Sequence, residues 1–162
     1  MPRLYNNRDL RLSYVLWQEG VAPVVVVELL SPGTEPEDLG QTALDGRQPP
    51  SKWTVYEQIL RIPHYVVFNR YTDTVRYFEL TGGGYQEAQP PDQRLWLPEA
   101  GLGLGLWRGR YQGLERCWLR FLDAEGAWVP TPLEREQRRA EQERQRAERL
   151  AAQLKALGVE PE

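Results

Sequence analysis

Val24-Val25-Val26-Val27-Glu28-Leu29-Leu30-Ser31-Pro32-Gly33-Thr34 is the stretch that decides how this chain folds. Four consecutive β-branched residues favour extended backbone, because their χ1 restriction costs less there than in a helix. The run is apolar on both faces, so it reads as a central strand covered on two sides. Ser31-Pro32-Gly33-Thr34 closes it with a turn. Glu28 is the exception inside the run. A lone carboxylate there is costly unless it meets a cleft, a cation or a hydrogen-bonding partner.

Working downstream, Glu35 to Pro50 is polar and rich in Gly, Pro and Asp, and reads as a loop. Glu35, Glu37 and Asp38 form an acidic cluster in it, expected to be a solvated turn. Ser51 is placed to cap a helix over Lys52–Leu60, with Val55, Ile59 and Ile62 as its buried stripe and Pro63 as its stop. Tyr65–Asn69 is a second buried strand. Val75–Leu80 and the segment after Gly82-Gly83-Gly84 form a hairpin. Leu95–Pro98 and the alternating Leu102–Trp107 follow, the latter with large groups on one face and none on the other. Cys117–Leu122 and Ala127–Val129 predict a last hairpin about Asp123–Gly126. Upstream, Arg11–Trp17 alternates polar and apolar residues as a half-buried strand or irregular edge segment does.

From Leu133 the composition changes: Glu134 to Arg149 is mostly Glu and Arg, with alanines and no Gly or Pro, which predicts a helix laced with i,i+3 and i,i+4 charge pairs and ended by Gly158. Leu133, Ala140, Ala147 and Leu154 recur every seven residues, but Leu150 and Leu157 complete the heptad only at the end, so the seam is a weak coiled coil at most. The chain thus divides into an α/β domain over residues 1–132 and a charged helix over 133–162. The domain is expected to be a mixed central sheet flanked by helices.

The totals narrow the function. The chain has 162 residues, 41% of them hydrophobic, and a formal charge of −3. That is enough for a packed core, without the basic footprint of a non-specific nucleic-acid coat. No apolar run is long enough to span a membrane, and no signal-peptide pattern precedes the first polar cluster. Cys117 is the single cysteine and His64 the single histidine. A disulfide framework, a cysteine zinc site and a histidine-rich metal site are therefore excluded, and the cytoplasm is the expected location. Six tryptophans read as core and rim packing.

Two residues stand out for chemistry. Glu28 sits inside the apolar strand. Lys52 opens the next helix in a chain with two lysines, Lys52 and Lys155, against eighteen arginines. That usage is what a need for an ammonium point charge would leave. Composition alone leaves open that Glu28 pairs with some arginine and Lys52 is merely solvated. Tyr56 lies one turn beyond Lys52 on the same helix face.

The strand ending Glu28-Leu29-Leu30-Ser31-Pro32-Gly33-Thr34, then Glu37-Asp38-Leu39-Gly40, Lys52-Trp53-Thr54-Val55-Tyr56 and Pro63-His64-Tyr65-Val66-Val67-Phe68, together resemble the Uma2 (Uma-two) family of bacterial restriction-endonuclease-like proteins. That family lies in the PD-(D/E)XK nuclease-like superfamily. The resemblance covers nearly the whole chain. It implies a restriction-endonuclease-like sheet flanked by helices, and a site of one Asp, one Glu and one Lys acting on DNA. It implies Mg²⁺ (or Mn²⁺) held by the carboxylates, with Glu28 as catalytic residue and metal ligand. Lys52 would orient the nucleophile or steady developing charge. Tyr56, from its place on the Lys52 face of the helix, is expected either to pack against this site or to touch a substrate phosphate, and Glu37 or Asp38 to be a backup source of oxygen.

The chain departs from the family pattern in three ways. Val24 follows Pro23 where the family has Asp, and valine cannot ligate a metal. His64 stands where the family often has Glu, and is expected to be a connector without a catalytic role. Asn69 stands where the family often has Asp. The family also carries several dozen more residues upstream, so the absent carboxylate is expected either to be lost or to lie before this start. The functional alternatives are a metal-dependent DNA endonuclease, a catalytically inactive module of the same fold binding nucleic acid or protein, and a homo-oligomer, a dimer above all, assembled through the tail.

Overall fold

The computed structural model describes residues 14–31, 33, 35–41 and 49–157. Two compact units divide the chain, Met1–Ala127 and Trp128–Glu162. The larger unit contains two sheets. Strands β1 (Val25–Leu29), β2 (His64–Asn69), β3 (Thr74–Thr81) and β4 (Gly84–Ala88) form the first, in that order. Strands β5 (Arg94–Leu97), β6 (Leu102–Tyr111) and β7 (Leu114–Leu122) form the second. The first sheet is mixed, with β1 parallel to β2 and the other pairs antiparallel. A parallel pair cannot be joined by a tight turn, so the chain between β1 and β2 must cross over the sheet. It does so through a four-residue helix α2 (Glu35–Asp38) and helix α3 (Lys52–Thr54), which continues as a π-helical turn, Val55–Ile59.

The valine run forms β1, as its β-branching dictates, and β2 is buried along five of its six residues. Side-chain alternation gives β2 two roles. Tyr65 and Val67 face the crossover and pack with Leu30 and Phe78, against Leu39, Trp53, Tyr56 and Tyr85. Val66 faces the second sheet and packs with Tyr77, Leu95, Leu97 and Leu104. The domain is therefore three layers deep, helical crossover on mixed sheet on antiparallel sheet, with one apolar cluster in each gap.

Three local expectations are revised. Leu16–Glu19 is a short helix, α1, ended by Gly20 at φ 68°; Arg11–Ser13 lie outside the described residues. The helix after Ser51 begins as expected, with the Ser51 hydroxyl accepting from Thr54 N at 3.2 Å. Of its expected stripe Ile62 is fully buried, but Ile59 is 62% exposed, and Trp53 and Tyr56 pack inward. The widening to i→i+5 bonding, seen in Leu60 N donating to Val55 O at 2.8 Å, carries Ile59 off the face that an α-helix would bury. The last hairpin pairs β6 with β7 about Gln112-Gly113, and Asp123–Gly126 is a turn after β7. The Leu-Gly alternation does what its pattern predicts: Leu104 faces the first sheet, and a Cβ on Gly103 would lie 2.6 Å from Leu122 on the opposite face.

The smaller unit is dominated by helix α4, Pro132–Ala156. Thr131 and Glu134 cap it reciprocally, with Thr131 N donating to Glu134 Oε2 at 2.7 Å and Glu134 N donating to Thr131 Oγ1 at 3.2 Å. Arg139–Glu143 and Arg144–Glu148 pair at i,i+4 and Glu141–Arg144 at i,i+3, and no residue of the helix is buried. Among the described residues no helix is long and apolar enough to cross a membrane.

Leu97 is wholly buried in the gap between the sheets. Leu97→Ala should lower unfolding stability by about 2–5 kcal/mol, the range for a large-to-small change in a packed core. A free energy of unfolding, read from chemical denaturation, that falls by less than about 0.5 kcal/mol would show that the two sheets do not share this core. Thr131→Ala should cost about 1 kcal/mol of α4 stability, read as lost far-ultraviolet circular dichroism on heating.

Candidate active site

Glu28 and Val26 share the crossover side of β1, since Val26 registers with Tyr65 and Glu28 with Val67. That places the carboxylate beneath α3. Lys52, the first residue of α3, donates from Nζ to Glu28 Oε2 at 3.3 Å and to Asp38 Oδ1 at 3.1 Å. Tyr56, one turn further on, donates its hydroxyl to the other Glu28 oxygen, Oε1, at 3.0 Å. The two carboxylates touch the same nitrogen, so they lie no further apart than those two contacts allow. The sequence-predicted residues Glu28, Lys52 and Tyr56 are thus brought together.

Asp38 is the residue that sequence reasoning undervalued. It belongs to the acidic cluster expected to be a solvated turn, and Glu35 and Glu37 are indeed exposed. The Asp38 side chain is only 2% exposed, and Lys52 is its cation. Tyr65 completes the hold, its buried hydroxyl donating to the Asp38 backbone carbonyl at 2.9 Å. One signal for this was available. Asp38 precedes Leu39, which packs against the Leu30–Tyr65–Val67–Phe78 cluster, so the end of α2 had to meet the sheet.

The electrostatics follow from the contacts. The hydrogen bond from Lys52 to Asp38, with Glu28 adding to it, holds the lysine above its ordinary value against a smaller opposing effect of burial. Lys52 therefore remains an ammonium across the neutral range. A group raised in this way contributes fully below its ordinary value and loses its contribution only as pH climbs above it. Burial, then the nearby Glu28 charge, pushes the Tyr56 phenol up, so it stays a donor to Glu28. Burial does the same to Tyr65, and more strongly.

The donor set fits a hard cation at its minimum. Mg²⁺ prefers oxygen ligands and is often held by one or two carboxylates, with waters and substrate phosphates completing the shell. Glu28 and Asp38 offer two convergent carboxylates, already gathered on a cation. Among the described residues no group of three His, Cys, Asp or Glu gathers into a dedicated cage.

The remaining candidates lie elsewhere. The Val24 backbone carbonyl accepts from His64 N at 3.2 Å, just before β1 begins. His64 opens β2 on the face turned away from Lys52, buried, with Nε2 3.2 Å from Glu99 Oε2 and Nδ1 3.8 Å from Glu79 Oε1. Asn69 folds its own turn, its side-chain oxygen accepting from Tyr71 N at 2.9 Å and Thr72 N at 3.3 Å.

No match was found among curated proteins or among solved structures. A family model described as "Uma2: Putative restriction endonuclease" matches residues 4–114, a span that includes Glu28, Asp38, Lys52 and Tyr56. Over two thirds of its length, and with the glutamate, lysine and tyrosine of that resemblance gathered on one side of one sheet, the chain belongs to the Uma2 family of restriction-endonuclease-like proteins.

Proposed function

We propose that this protein is a metal-dependent DNA endonuclease whose active centre is Glu28, Asp38 and Lys52, with Tyr56 supporting it. The observation that carries the reading is Asp38: a buried carboxylate on the same lysine as Glu28 supplies the second acid that Val24 cannot. Glu28 and Asp38 would hold Mg²⁺ or Mn²⁺, which when bound supplies a Lewis acid for the phosphate and a water of lowered pKa.

The chain's own residues have distinct tasks. Tyr56 occupies Glu28 Oε1 and so fixes which oxygen, Oε2, faces the site. Lys52 stays charged and therefore cannot act as a base. Its side chain is 45% exposed, so its ammonium can meet a phosphate arriving from solvent and offset the negative charge that grows during hydrolysis. Tyr65 holds the Asp38 backbone and with it the spacing of the two carboxylates. Acting on DNA and carrying a single cysteine, the protein is assigned by this reading to the cytoplasm.

Supercoiled-plasmid nicking under Mg²⁺ and Mn²⁺ titration tests this. Glu28→Gln, Asp38→Asn and Lys52→Ala should each reduce the metal-dependent rate by about 10²-fold or more. Full activity in Asp38→Asn would remove Asp38 from the centre. The alternative, an inactive nuclease-fold module, draws on Val24 and on the lysine lying across both carboxylates. It requires that neither metal produces nicking in the unaltered chain.

The tail supports a further part of the reading, a weak homodimer. Leu150, Leu154 and Leu157 are exposed on the last turns of α4 and at its end. Leu150→Glu with Leu154→Glu should shift the mass measured by light scattering from dimer toward monomer at micromolar concentration. An unaltered mass would end that proposal.

A further inference from the structure

Lys52 is the loosely held member of the acid–lysine cluster. Its Nζ lies 3.3 Å from Glu28 Oε2 and 3.1 Å from Asp38 Oδ1. Charge-assisted N–H···O bonds to carboxylates usually close to about 2.7–2.9 Å, and on β3 and β4 Arg76 grips Glu87 at 2.7 and 2.6 Å. The lysine side chain is 45% exposed, whereas those of Glu28 and Asp38 are 18% and 2% exposed. The acids are anchored by other groups. Tyr56 donates to Glu28 Oε1, and Tyr65 donates to the Asp38 carbonyl. The cluster therefore sets two fixed carboxylate oxygens against a cation on a flexible four-carbon stem.

The choice of cation fits a group that must let go. The chain has eighteen arginines and two lysines, and the residue here is a lysine. A guanidinium would fork onto one carboxylate with two parallel bonds, as Arg76 does on Glu87. An ammonium is a compact, strongly hydrated point charge, so it bridges two acids and returns readily to water. Charge decides the rest. One ammonium between two carboxylates leaves the cluster net negative, which repels a DNA phosphate. A divalent cation prefers the same carboxylate oxygens and carries twice the charge. With both acids balanced by it, the ammonium is left as positive charge beside the site.

We propose that Lys52 is a displaceable counter-ion, competing with the divalent metal for Glu28 Oε2 and Asp38 Oδ1 and turning to the phosphate only once it is displaced. The inference rests on the metal-dependent reading of this site and adds to it the order in which the groups act. Lys52 thus lowers metal affinity while serving hydrolysis, so its two effects have opposite signs.

The two lysines make the exchange visible. With isotope-labelled lysine, the full unaltered chain gives one Cε nuclear magnetic resonance signal from Lys52. It gives another from Lys155, which is exposed in the last turn of α4. Mg²⁺ titration, with binding followed in parallel by calorimetry, should move the Lys52 signal toward that of Lys155 and leave the latter in place. Lys52→Met should bind Mn²⁺ about tenfold or more tightly than the unaltered chain, although it nicks plasmid more slowly. Asp38→Asn should bind Mn²⁺ more weakly. A Lys52 signal that stays in place while Mg²⁺ binds would overturn the counter-ion role, and so would a Lys52→Met affinity no higher than that of the unaltered chain. Weakened binding in Asp38→Asn would then leave the metal centre itself standing. Unaltered binding in Asp38→Asn, or no metal binding by any of the three proteins, would bring down the metal-dependent reading and this inference together. The signal titration requires no substitution, so it decides the matter should Lys52→Met unfold early.

Discussion

Asp38 is taken almost entirely out of water, and a carboxylate in that position is tolerated only with a cation and hydrogen bonds beside it. Lys52 meets that demand while also holding Glu28. One ammonium therefore ties together β1, the end of α2 and the start of α3, which are far apart along the chain. The crossover between the parallel strands depends on this tie, with Tyr65 holding the Asp38 carbonyl from the sheet below. The charged cluster is thus structural, and the proposed active centre is built from the same groups. Breaking one partner would leave an uncompensated buried charge, and the same groups offer convergent oxygens to a metal ion.

The two-sided burial of β2 sets the architecture around that tie. Its crossover face is aromatic, with the Trp53 ring meeting Tyr65, Phe78 and Tyr85 edge-on at 5.5, 5.0 and 5.2 Å. Such edge-to-face contacts prefer defined geometry, which a purely aliphatic layer would not impose. Glu57 strengthens the layer by accepting from both Trp53 Nε1 and Tyr85 N. These contacts fix α3 against the sheet, and so fix where Lys52 and Tyr56 begin. The other face of β2 rests on the second sheet.

Strand and helix identity were largely local matters. Four valines in a row leave little choice but β1, and the Glu/Arg/Ala tail with its Thr131–Glu134 cap leaves little choice but α4. Local pattern misled where packing outweighed period. The expected inward stripe at Val55 and Ile59 gave way to Trp53 and Tyr56, because the aromatic residues fill the space above Tyr65 and the π-helical turn rotates Ile59 outward. Cys117–Leu122 found its partner upstream in β6, where a longer antiparallel register was available than in Ala127–Val129.

By itself, the sequence determined that Glu28 lies in a strand too apolar to leave a carboxylate unattended, and that Lys52 opens the helix after it. Both follow from residue type and short-range order, which the chain carries wherever it folds. It could not settle Asp38. An aspartate among Glu35, Glu37 and Pro36 has the composition of a solvated turn, and only the docking of Leu39 and Tyr65 turns that one side chain inward. Nor could it stack Arg116 over Trp118 and Arg120 over Trp107. That depends on the register between β6 and β7, where a shift of one residue would send every one of these side chains to the other face.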